Sequence, residues 1–289
     1  MILVVGATGS LGGSYARRLL SEGKKVRILV RPGSDYGDLI DAGAEPVIGD
    51  LKEPTSLATA CSGIEAVLTS ANAIRRGGED TIDSVDLHGN QQLIEAAEAQ
   101  GVHHFVFTSV LGATSDSPVP FIRAKGLAED RLTTSSMVWT ILQPNMMMDT
   151  WLPMAIGGPV LAGQPVTLVG EAHRRHSMVA MSDVVSYAVA ALDHEAGNNA
   201  RILIGGPEAV SWRDAVAAFE HALGRQVPVR FVRPGEPVPG MPEQVNMLFQ
   251  QMETYDSPLD MTATAKTFGV TPTTLHDFVH GFVSTLSHT

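Results

Sequence analysis

The chain has 289 residues, of which 44% are hydrophobic and 18% are charged, a composition typical of a globular protein with one large core or a core and a smaller lobe. The net charge of −11 disfavours nucleic-acid binding, because an acidic surface repels phosphate backbones. One cysteine, Cys61, excludes an intrachain disulfide and favours a cytoplasmic location. The apolar runs are shorter than the roughly 18 residues of a membrane span, and Met1 to Val5 is predicted as a strand, so we expect neither a membrane anchor nor a signal peptide.

Short β-branched runs alternate with amphipathic helices over the first half of the chain. Strands are predicted at Ile2 to Val5, Val26 to Val30, Pro46 to Ile48, Ala66 to Thr69, Phe105 to Ser109 and Val138 to Leu142. Helices are predicted at Leu11 to Glu22, Thr81 to Gln100 and Arg123 to Leu132. Because the strands are apolar on both faces and alternate with helices, they indicate an α/β fold with a doubly wound parallel sheet.

After Pro144 the alternation is lost, and the later segments predict a smaller C-terminal α/β lobe. The predicted elements are a helix at Ser182 to Leu192, a strand at Arg201 to Ile204, and helices at Ser211 to Leu223, Gln244 to Met252 and Thr274 to Leu286. We therefore expect a nucleotide-binding domain over residues 1–145, with return segments near 178–204. Residues 146–177 and 205–289 would form the substrate lobe.

A glycine-rich turn links the first strand to the first helix. Gly6, Gly9 and Gly12 make the pattern G-x-x-G-x-x-G, which suits a tight turn, close approach of a diphosphate to the backbone, and a helix N-terminus aimed at the anion. In this strand–turn–helix context the pattern predicts a Rossmann dinucleotide site. The residues expected to contact the cofactor here are Gly6, Thr8, Gly9, Ser10, Leu11 and Gly12.

The end of the second strand selects the cofactor. NAD sites usually carry an acid there, which accepts hydrogen bonds from the ribose 2′-hydroxyl. This chain has Arg31, whose guanidinium cannot accept that bond but can hold a 2′-phosphate, and Ser34 can donate as well. We therefore predict NADP(H) as the cofactor; the alternative is a solvated arginine on a loop.

The motifs together resemble those of a known family. The motifs that carry this resemblance are G-A-T-G-S-L-G (6–12), V-R-P (30–32), G-D-L (49–51), S-A-N (70–72), L-Q-P-N (142–145) and M-S-D-V-V (181–185). Through them the chain resembles the NmrA-like atypical short-chain dehydrogenase/reductases, which include triphenylmethane-reductase-like and isoflavone-reductase-like enzymes. The resemblance covers essentially the whole chain and is closest over the first 145 residues. It implies that Asp50 and Leu51 line the adenine site. It also implies that Ala71 and Asn72 lie beside the ribose and nicotinamide, and that Pro144 and Asn145 lie along the nicotinamide edge.

The segment P-F-I-R-A-K departs from the superfamily's Tyr-x-x-x-Lys pair. In that pair the two side chains lie one helical turn apart, the lysine holds the ribose, and the tyrosine transfers a proton. Lys125 occupies the lysine position, but Phe121 occupies the tyrosine position and carries no proton. The usual alcohol–ketone mechanism is therefore not available, although NmrA-like members commonly lack this tyrosine. The alternative for Lys125 is an exposed helix lysine.

Other side chains are candidates for the substrate side of the site. Ser109, at the end of the fifth predicted strand, could orient the substrate or merely cap the backbone. Phe121, Met147 and Trp151 would line an apolar pocket for a small aromatic substrate, unless the last two belong to core packing. His173 and His176 are expected on a solvated loop; the alternative is that they reach the pocket and act as an acid. No zinc-ligand spacing is present, so no metal is predicted.

Three functions are consistent with these features. The first is an NADPH-dependent oxidoreductase that transfers hydride to a small conjugated or carbonyl compound. A conjugated acceptor such as a quinone or a cationic dye needs no strong general acid in the hydride-transfer step. The second is a non-catalytic NADP(H) sensor that acts through a protein partner. The third, a sugar-nucleotide epimerase or dehydratase, normally needs the missing tyrosine. A homodimer is expected only because dimers are common in the superfamily that the chain resembles.

Overall fold

The computed structural model describes residues 1–74 and 78–286, and the chain forms two compact units. The first unit comprises Met1–Pro144, Val184–Leu203 and Thr267–Gly269. The second comprises Asn145–Asp183, Ile204–Lys266 and Val270–Thr289. The chain therefore passes between the units several times, and Asn145 belongs to the second unit, one residue earlier than the predicted boundary.

A seven-stranded sheet forms the centre of the first unit, with strand order β3-β2-β1-β4-β5-β6-β8. Five neighbouring pairs, from β3 through to β6, are parallel. The strands are β1 Ile2–Val5, β2 Val26–Val30, β3 Glu45–Ile48, β4 Ala66–Thr69, β5 His104–Thr108, β6 Val138–Pro144 and β8 Ala200–Ile204. This order confirms the predicted doubly wound α/β fold, because the chain winds outward from β1 in both directions.

Helices connect these strands and cover the sheet. They are α1 Ser10–Ser21, α2 Gly37–Asp41, α3 Pro54–Cys61, α4 Asn90–Ala99, α5 Pro120–Thr133 and α8 Met181–Asp193. Apolar side chains of the strands and helices form one buried cluster, which includes Leu3, Val67, Leu93, Phe105 and Leu132. Burial of these side chains is the main stabilising contribution to this unit.

The predicted helix at Thr81 to Gln100 is in fact two elements. A π-helix, Ile82–Gly89, precedes α4 and begins at a capping box between Thr81 and Ser84. A π-helix has a wider turn than an α-helix, so the side-chain period over this segment departs from the 3.6-residue period used for the prediction. The apolar positions at Ile82 and Val85 fitted the α period, which is why the irregularity was not visible in the sequence.

The second unit contains two strands that the sequence did not reveal, β7 Val166–Val169 and β9 Val229–Val232, which pair in parallel. Its remaining helices are α6 Met148–Leu152, a π-helical turn Pro153–Gly157, α7 Gly158–Leu161, α9 Trp212–Leu223, α10 Glu243–Met252, α11 Thr262–Phe268 and α12 Leu275–Leu286. Trp212, Phe219 and Phe249 lie in its core. Among the described residues, no helix has the length and apolar character that crossing a membrane requires.

The lone cysteine is buried at the end of α3, among the apolar side chains of the first unit. Burial raises the pKa of the Cys61 thiol to about 12, because the thiolate is poorly solvated there. Cys61 therefore acts as a small apolar residue of the core.

We expect Cys61 to resist a thiol reagent at pH 8 in the native protein, since the thiolate is the reactive form. The measurement is the rate of thionitrobenzoate release from Ellman's reagent, with and without guanidinium chloride. The unfolded chain should react completely within the time in which the native protein barely reacts. Equal rates in the two states would contradict a buried thiol.

Candidate functional site

The glycine-rich turn leaves β1 at its carboxyl end and enters α1. Gly6 has φ of +87°, a left-handed conformation that favours glycine, and its carbonyl accepts a hydrogen bond from the Gly9 amide at 2.9 Å. A Cβ atom on Gly12 would lie 2.2 Å from the Gly6 carbonyl oxygen, so only glycine permits this close packing of helix on turn. The first and third glycines of the motif are therefore required by backbone geometry.

The N-terminus of α1 is open to an anion. Gly9 precedes the helix and provides no side-chain cap, although the first amides of a helix lack partners within the helix. Thr8, Gly9 and Ser10 are exposed, while Leu11 is buried behind them. Exposed backbone donors without an intervening side chain fit the diphosphate of a dinucleotide.

Arg31 lies just beyond β2 and forms an ion pair that the sequence did not predict. Its Nη1 atom donates to Asp80 Oδ2 at 2.6 Å, and Lys52 Nζ donates to the other oxygen, Oδ1, at 2.8 Å. Ser34 follows in a turn, where its amide donates to the Arg31 carbonyl at 3.2 Å. Two cations thus meet at one buried carboxylate beyond the ends of β2 and β3.

The residues implied for the adenine and ribose follow β3 and β4, whose carboxyl ends share the sheet edge with β1. Asp50 Oδ1 accepts from the Lys52 amide at 2.9 Å, and Leu51 is buried in the core. Ala71 is buried so close to the turn that a Cβ on Gly6 would lie 3.1 Å from its amide nitrogen. The Asn72 side chain donates to the Ser70 carbonyl at 3.2 Å. The contacts of these residues with a cofactor stay a prediction.

Lys125 is buried, so the alternative of an exposed helix lysine is wrong. Its Nζ atom lies 3.4 Å from the Ala71 carbonyl oxygen and 3.3 Å from that of Thr108. The ammonium also lies 4.9 Å from the centre of the Phe107 ring and 5.7 Å from that of Phe121. Phe121 therefore contributes an aromatic face to the lysine rather than a hydroxyl.

Asp86, on the π-helix, is the buried counter-ion of Lys125. Its Oδ1 atom lies 3.6 Å from Lys125 Nζ, and its Oδ2 atom accepts from the Ala73 amide at 2.9 Å. Burial lowers the pKa of Lys125, and Asp86 opposes this by favouring the charged form. The sequence offered no signal for Asp86, because a lone acid on an amphipathic helix is usually solvated.

Ser109 is buried at the end of β5, and its hydroxyl donates to Glu129 Oε1 at 2.5 Å. Glu129 also accepts from Gln143 Nε2 at 2.8 Å and from Arg201 Nε at 3.0 Å. The hydroxyl of Ser109 is thus held by a buried carboxylate network. Whether it orients a substrate stays a prediction.

Pro144 ends β6, and its carbonyl accepts from the Leu111 amide at 3.0 Å, whereas the segment that follows belongs to the second unit. Asn145 Nδ2 donates to the Ser257 carbonyl at 2.9 Å. Trp151 stacks against Phe249, with 6.0 Å between ring centres, and Met147 is half-buried at the start of α6. Trp151 therefore takes part in core packing, and the pocket assigned to these two side chains stays a prediction.

The expectation for His176 is wrong, because its side chain is buried rather than solvated. Its Nδ1 atom lies 2.7 Å from Ser257 Oγ, and its Nε2 atom lies 3.1 Å from the Met252 carbonyl oxygen. Burial lowers the pKa of His176, so the ring is neutral at pH 7. A backbone bridge to Val210 orders the segment that the sequence suggested was a loop.

The glycine turn, the open helix N-terminus and the buried lysine at one sheet edge are typical of a Rossmann dinucleotide-binding protein. The chain matches the NAD(P)H-binding family model over residues 6–195. It is 32% identical over 237 residues to the NAD(P)H azoreductase of Xenophilus azovorans, covering 80% of this chain and 76% of that protein. It is 34% identical over 192 residues to the photosystem II assembly factor Ycf39 of Guillardia theta, covering 66% of this chain and 60% of that protein.

Solved structures agree in fold. The NADPH-dependent quinone oxidoreductase of Escherichia coli, complexed with NADPH, has a TM-score of 0.82 at 20% identity, covering 98% of this chain and 100% of that one. The triphenylmethane reductase of Citrobacter, complexed with NADP(H), also has a TM-score of 0.82 at 20% identity, covering 97% and 99%. The chain therefore belongs to the NAD(P)H-binding family. Its cofactor is a nicotinamide dinucleotide.

We expect Gly12→Ala to destabilise the protein and to abolish dinucleotide binding, because the added methyl group would overlap the Gly6 carbonyl. The loss of stability should reach at least about 1 kcal/mol, as for other overpacked sites. The measurements are the melting temperature and NADPH binding by fluorescence.

A matched control is Gly281→Ala on α12, where an added Cβ would meet no atom within 4 Å. Because alanine is the better helix former, this change should leave stability unchanged or slightly raised and binding intact. If Gly12→Ala behaved like this control, the close approach of α1 to the turn would be disproved.

Proposed function

We propose that the protein is an NADPH-dependent oxidoreductase that transfers hydride to a small conjugated or carbonyl compound of quinone-like or aromatic type. The observation that carries the proposal is the environment of Lys125, a buried cation at the cofactor edge of the sheet with Phe121 one turn before it. The lysine is retained where it can hold a ribose, whereas no hydroxyl is present at the position of the usual proton donor. This combination favours acceptors that do not need a strong acid during hydride transfer.

The residues divide the task between them. A bound nicotinamide cofactor supplies the hydride. The turn at Gly6 to Gly12 would bind its diphosphate, and Lys125 would donate hydrogen bonds to the ribose hydroxyls, as the family resemblance implies. A conjugated acceptor delocalises the incoming negative charge, so water can provide the proton afterwards. Ser109, held by Glu129, would orient the acceptor.

The preference for NADPH over NADH rests on Arg31. The Nη1 atom of Arg31 forms an ion pair with the Asp80 carboxylate, and 41% of the Arg31 side chain is exposed. An arginine held on one edge and open on the other is suited to a 2′-phosphate, which it can bind through parallel hydrogen bonds. The ion pair disfavours the alternative of a freely solvated loop arginine.

The relatives support an apolar, electron-accepting substrate. One is named for azo reduction, and a structural neighbour is named for quinone reduction. The sequence-based assignment of Met147 and Trp151 to the contacts of such a compound stays a prediction. A homodimer and a cytoplasmic location stay predictions.

A second candidate is an NADP(H)-binding protein that acts through a protein partner. Phe121 in the tyrosine position favours it, and one group of relatives is named for photosystem II assembly rather than for a reaction. This candidate predicts cofactor binding without turnover. The epimerase hypothesis ranks below both, because the proton-transferring tyrosine is missing.

Replacing Arg31 with alanine should weaken NADPH binding about tenfold or more, since a charge-assisted pair to the 2′-phosphate is lost, and should leave NADH binding nearly unchanged. Dissociation constants for both cofactors check this. The control is Arg174→Ala, which removes another half-exposed arginine, paired with Asp256 at 2.9 Å. Similar losses for NADPH and NADH in Arg31→Ala would overturn the preference.

Purified protein should oxidise NADPH in the presence of quinones, azo compounds, enals or cationic dyes. The loss of absorbance at the NADPH band measures this oxidation. Lys125→Met should abolish this activity, because it removes the ammonium expected at the ribose. Since the single variant leaves Asp86 buried without its cation, which costs about 3–5 kcal/mol, the folded test is the double variant Lys125→Met/Asp86→Asn. Asp86→Asn alone keeps the lysine but leaves it buried without its anion, so this variant measures the effect of breaking the pair itself.

A folded double variant that retains full activity would contradict the role of Lys125. No oxidation by the wild-type protein across the whole panel, with clear NADPH binding, would overturn the reductase and favour the partner-dependent candidate. The search would then turn from substrates to binding partners.

A further inference from the structure

Three charged side chains meet beyond the ends of β2 and β3, and one of them is buried. The Asp80 side chain is only 6% exposed, whereas those of Arg31 and Lys52 are 41% and 31% exposed. Each carboxylate oxygen of Asp80 accepts a hydrogen bond from a different cation, Oδ2 from Arg31 at 2.6 Å and Oδ1 from Lys52 at 2.8 Å. The buried acid therefore draws two cations together from two different loops.

This arrangement gives both cations an open side. A buried carboxylate needs partners, and Asp80 obtains them from Arg31 and Lys52. The remaining surface of both cations is exposed at the sheet edge that carries the glycine turn. The hydrogen bond to Asp80 raises the pKa of Lys52, so this side chain stays charged at pH 7.

We propose that Lys52 is a second ligand of the cofactor 2′-phosphate and that Asp80 is a positioning residue for both Lys52 and Arg31. The inference rests on the proposed use of NADPH. A 2′-phosphate carries close to two negative charges, and Arg31 alone is partly neutralised by Asp80. A lysine ammonium beside the guanidinium adds a second point charge with three donors.

Acidic groups surround the lysine. Asp50 Oδ2 lies 4.0 Å from Lys52 Nζ, and Asp80 and Glu79 also act on the ammonium electrostatically. Each acid opposes the approach of a phosphate, so replacing Lys52 with a neutral residue would strengthen that repulsion. NADH carries no 2′-phosphate, so Lys52 should matter to one cofactor only.

The first experiment measures dissociation constants of NADPH and NADH for Lys52→Gln and Lys52→Arg. Lys52→Gln should weaken NADPH binding about tenfold and leave NADH binding unchanged, because one charge-assisted contact to phosphate is lost. Lys52→Arg should restore most of the NADPH affinity, since it keeps the charge. The matched control is Lys24→Gln, because Lys24 forms a 2.8 Å ion pair with Asp193 and its side chain is 37% exposed.

The second experiment tests the positioning role with a double-mutant cycle. If Asp80 positions Lys52, the factor by which Lys52→Gln raises the dissociation constant of NADPH should fall to half or less in an Asp80→Asn background. The effects of the two substitutions on the dissociation constant of NADH should be independent of each other. Circular dichroism and melting temperature establish that each variant is folded. Should Asp80→Asn fail to fold, Lys52→Gln and Lys52→Arg still decide the ligand role, because Lys52 is half-exposed.

The outcomes separate this inference from the proposed function. A selective loss in Arg31→Ala together with equal effects of Lys52→Gln on both cofactors would overturn the inference and leave NADPH use intact. If neither variant discriminates between the cofactors, the NADPH preference itself is overturned. An undiminished Lys52→Gln penalty in the Asp80→Asn background would overturn the positioning role of Asp80.

Discussion

The buried pair of Lys125 and Asp86 ties together the elements that form the cofactor edge of the first unit. Removing two charges from water is costly, and the attraction between them offsets this only when further hydrogen bonds are made. Here the ammonium also reaches the carbonyl groups that follow β4 and end β5, and the carboxylate accepts from the Ala73 amide. Helix α5, the π-helix and two strand ends are thus held by one interaction.

The π-helix places the anionic partner of this pair. An extra residue per turn shifts the side chains that follow it, and such segments often occur at functional sites. In this chain the irregular turns run from Ile82 to Gly89 and contain Asp86, which lies fully buried under the strand ends. The wider helix therefore accompanies a buried acid that faces a buried lysine, and this acid helps to orient the lysine.

Much of the first unit could be predicted from the sequence, because its signals are local. β-branched runs gave the strands to within one or two residues, and a glycine-rich turn between strand and helix has one common use. Parallel strands bring their carboxyl ends to one edge, so Arg31 and Lys125 could be assigned to a common site. Strands β7 and β9 were missed because they lie among Pro- and Gly-rich segments, outside the regular alternation of strands and helices.

Buried charged partners could not be predicted in the same way. Asp80, Asp86 and Glu129 are acids whose sequence neighbours suggest solvated positions, yet each is buried and holds a residue that the sequence did single out. His176 was misassigned for the same reason, since its burial depends on Ser257 and Met252, about 80 residues later. Pairing over such separations depends on the folded chain and leaves no local pattern.

These buried acids also explain how an acidic protein can bind an anionic cofactor. A net charge of −11 repels a dinucleotide at long range, so affinity must come from short-range contacts. Asp80 and Asp86 are shielded from solvent, and each holds cations in a defined place at the sheet edge: Asp80 holds Arg31 and Lys52, and Asp86 holds Lys125. Carboxylates that contribute to the overall negative charge thereby fix the positions of these cations. Because hydrogen bonds and ion pairs place the cations, a short-range contact to an anion does not depend on the net charge of the whole molecule.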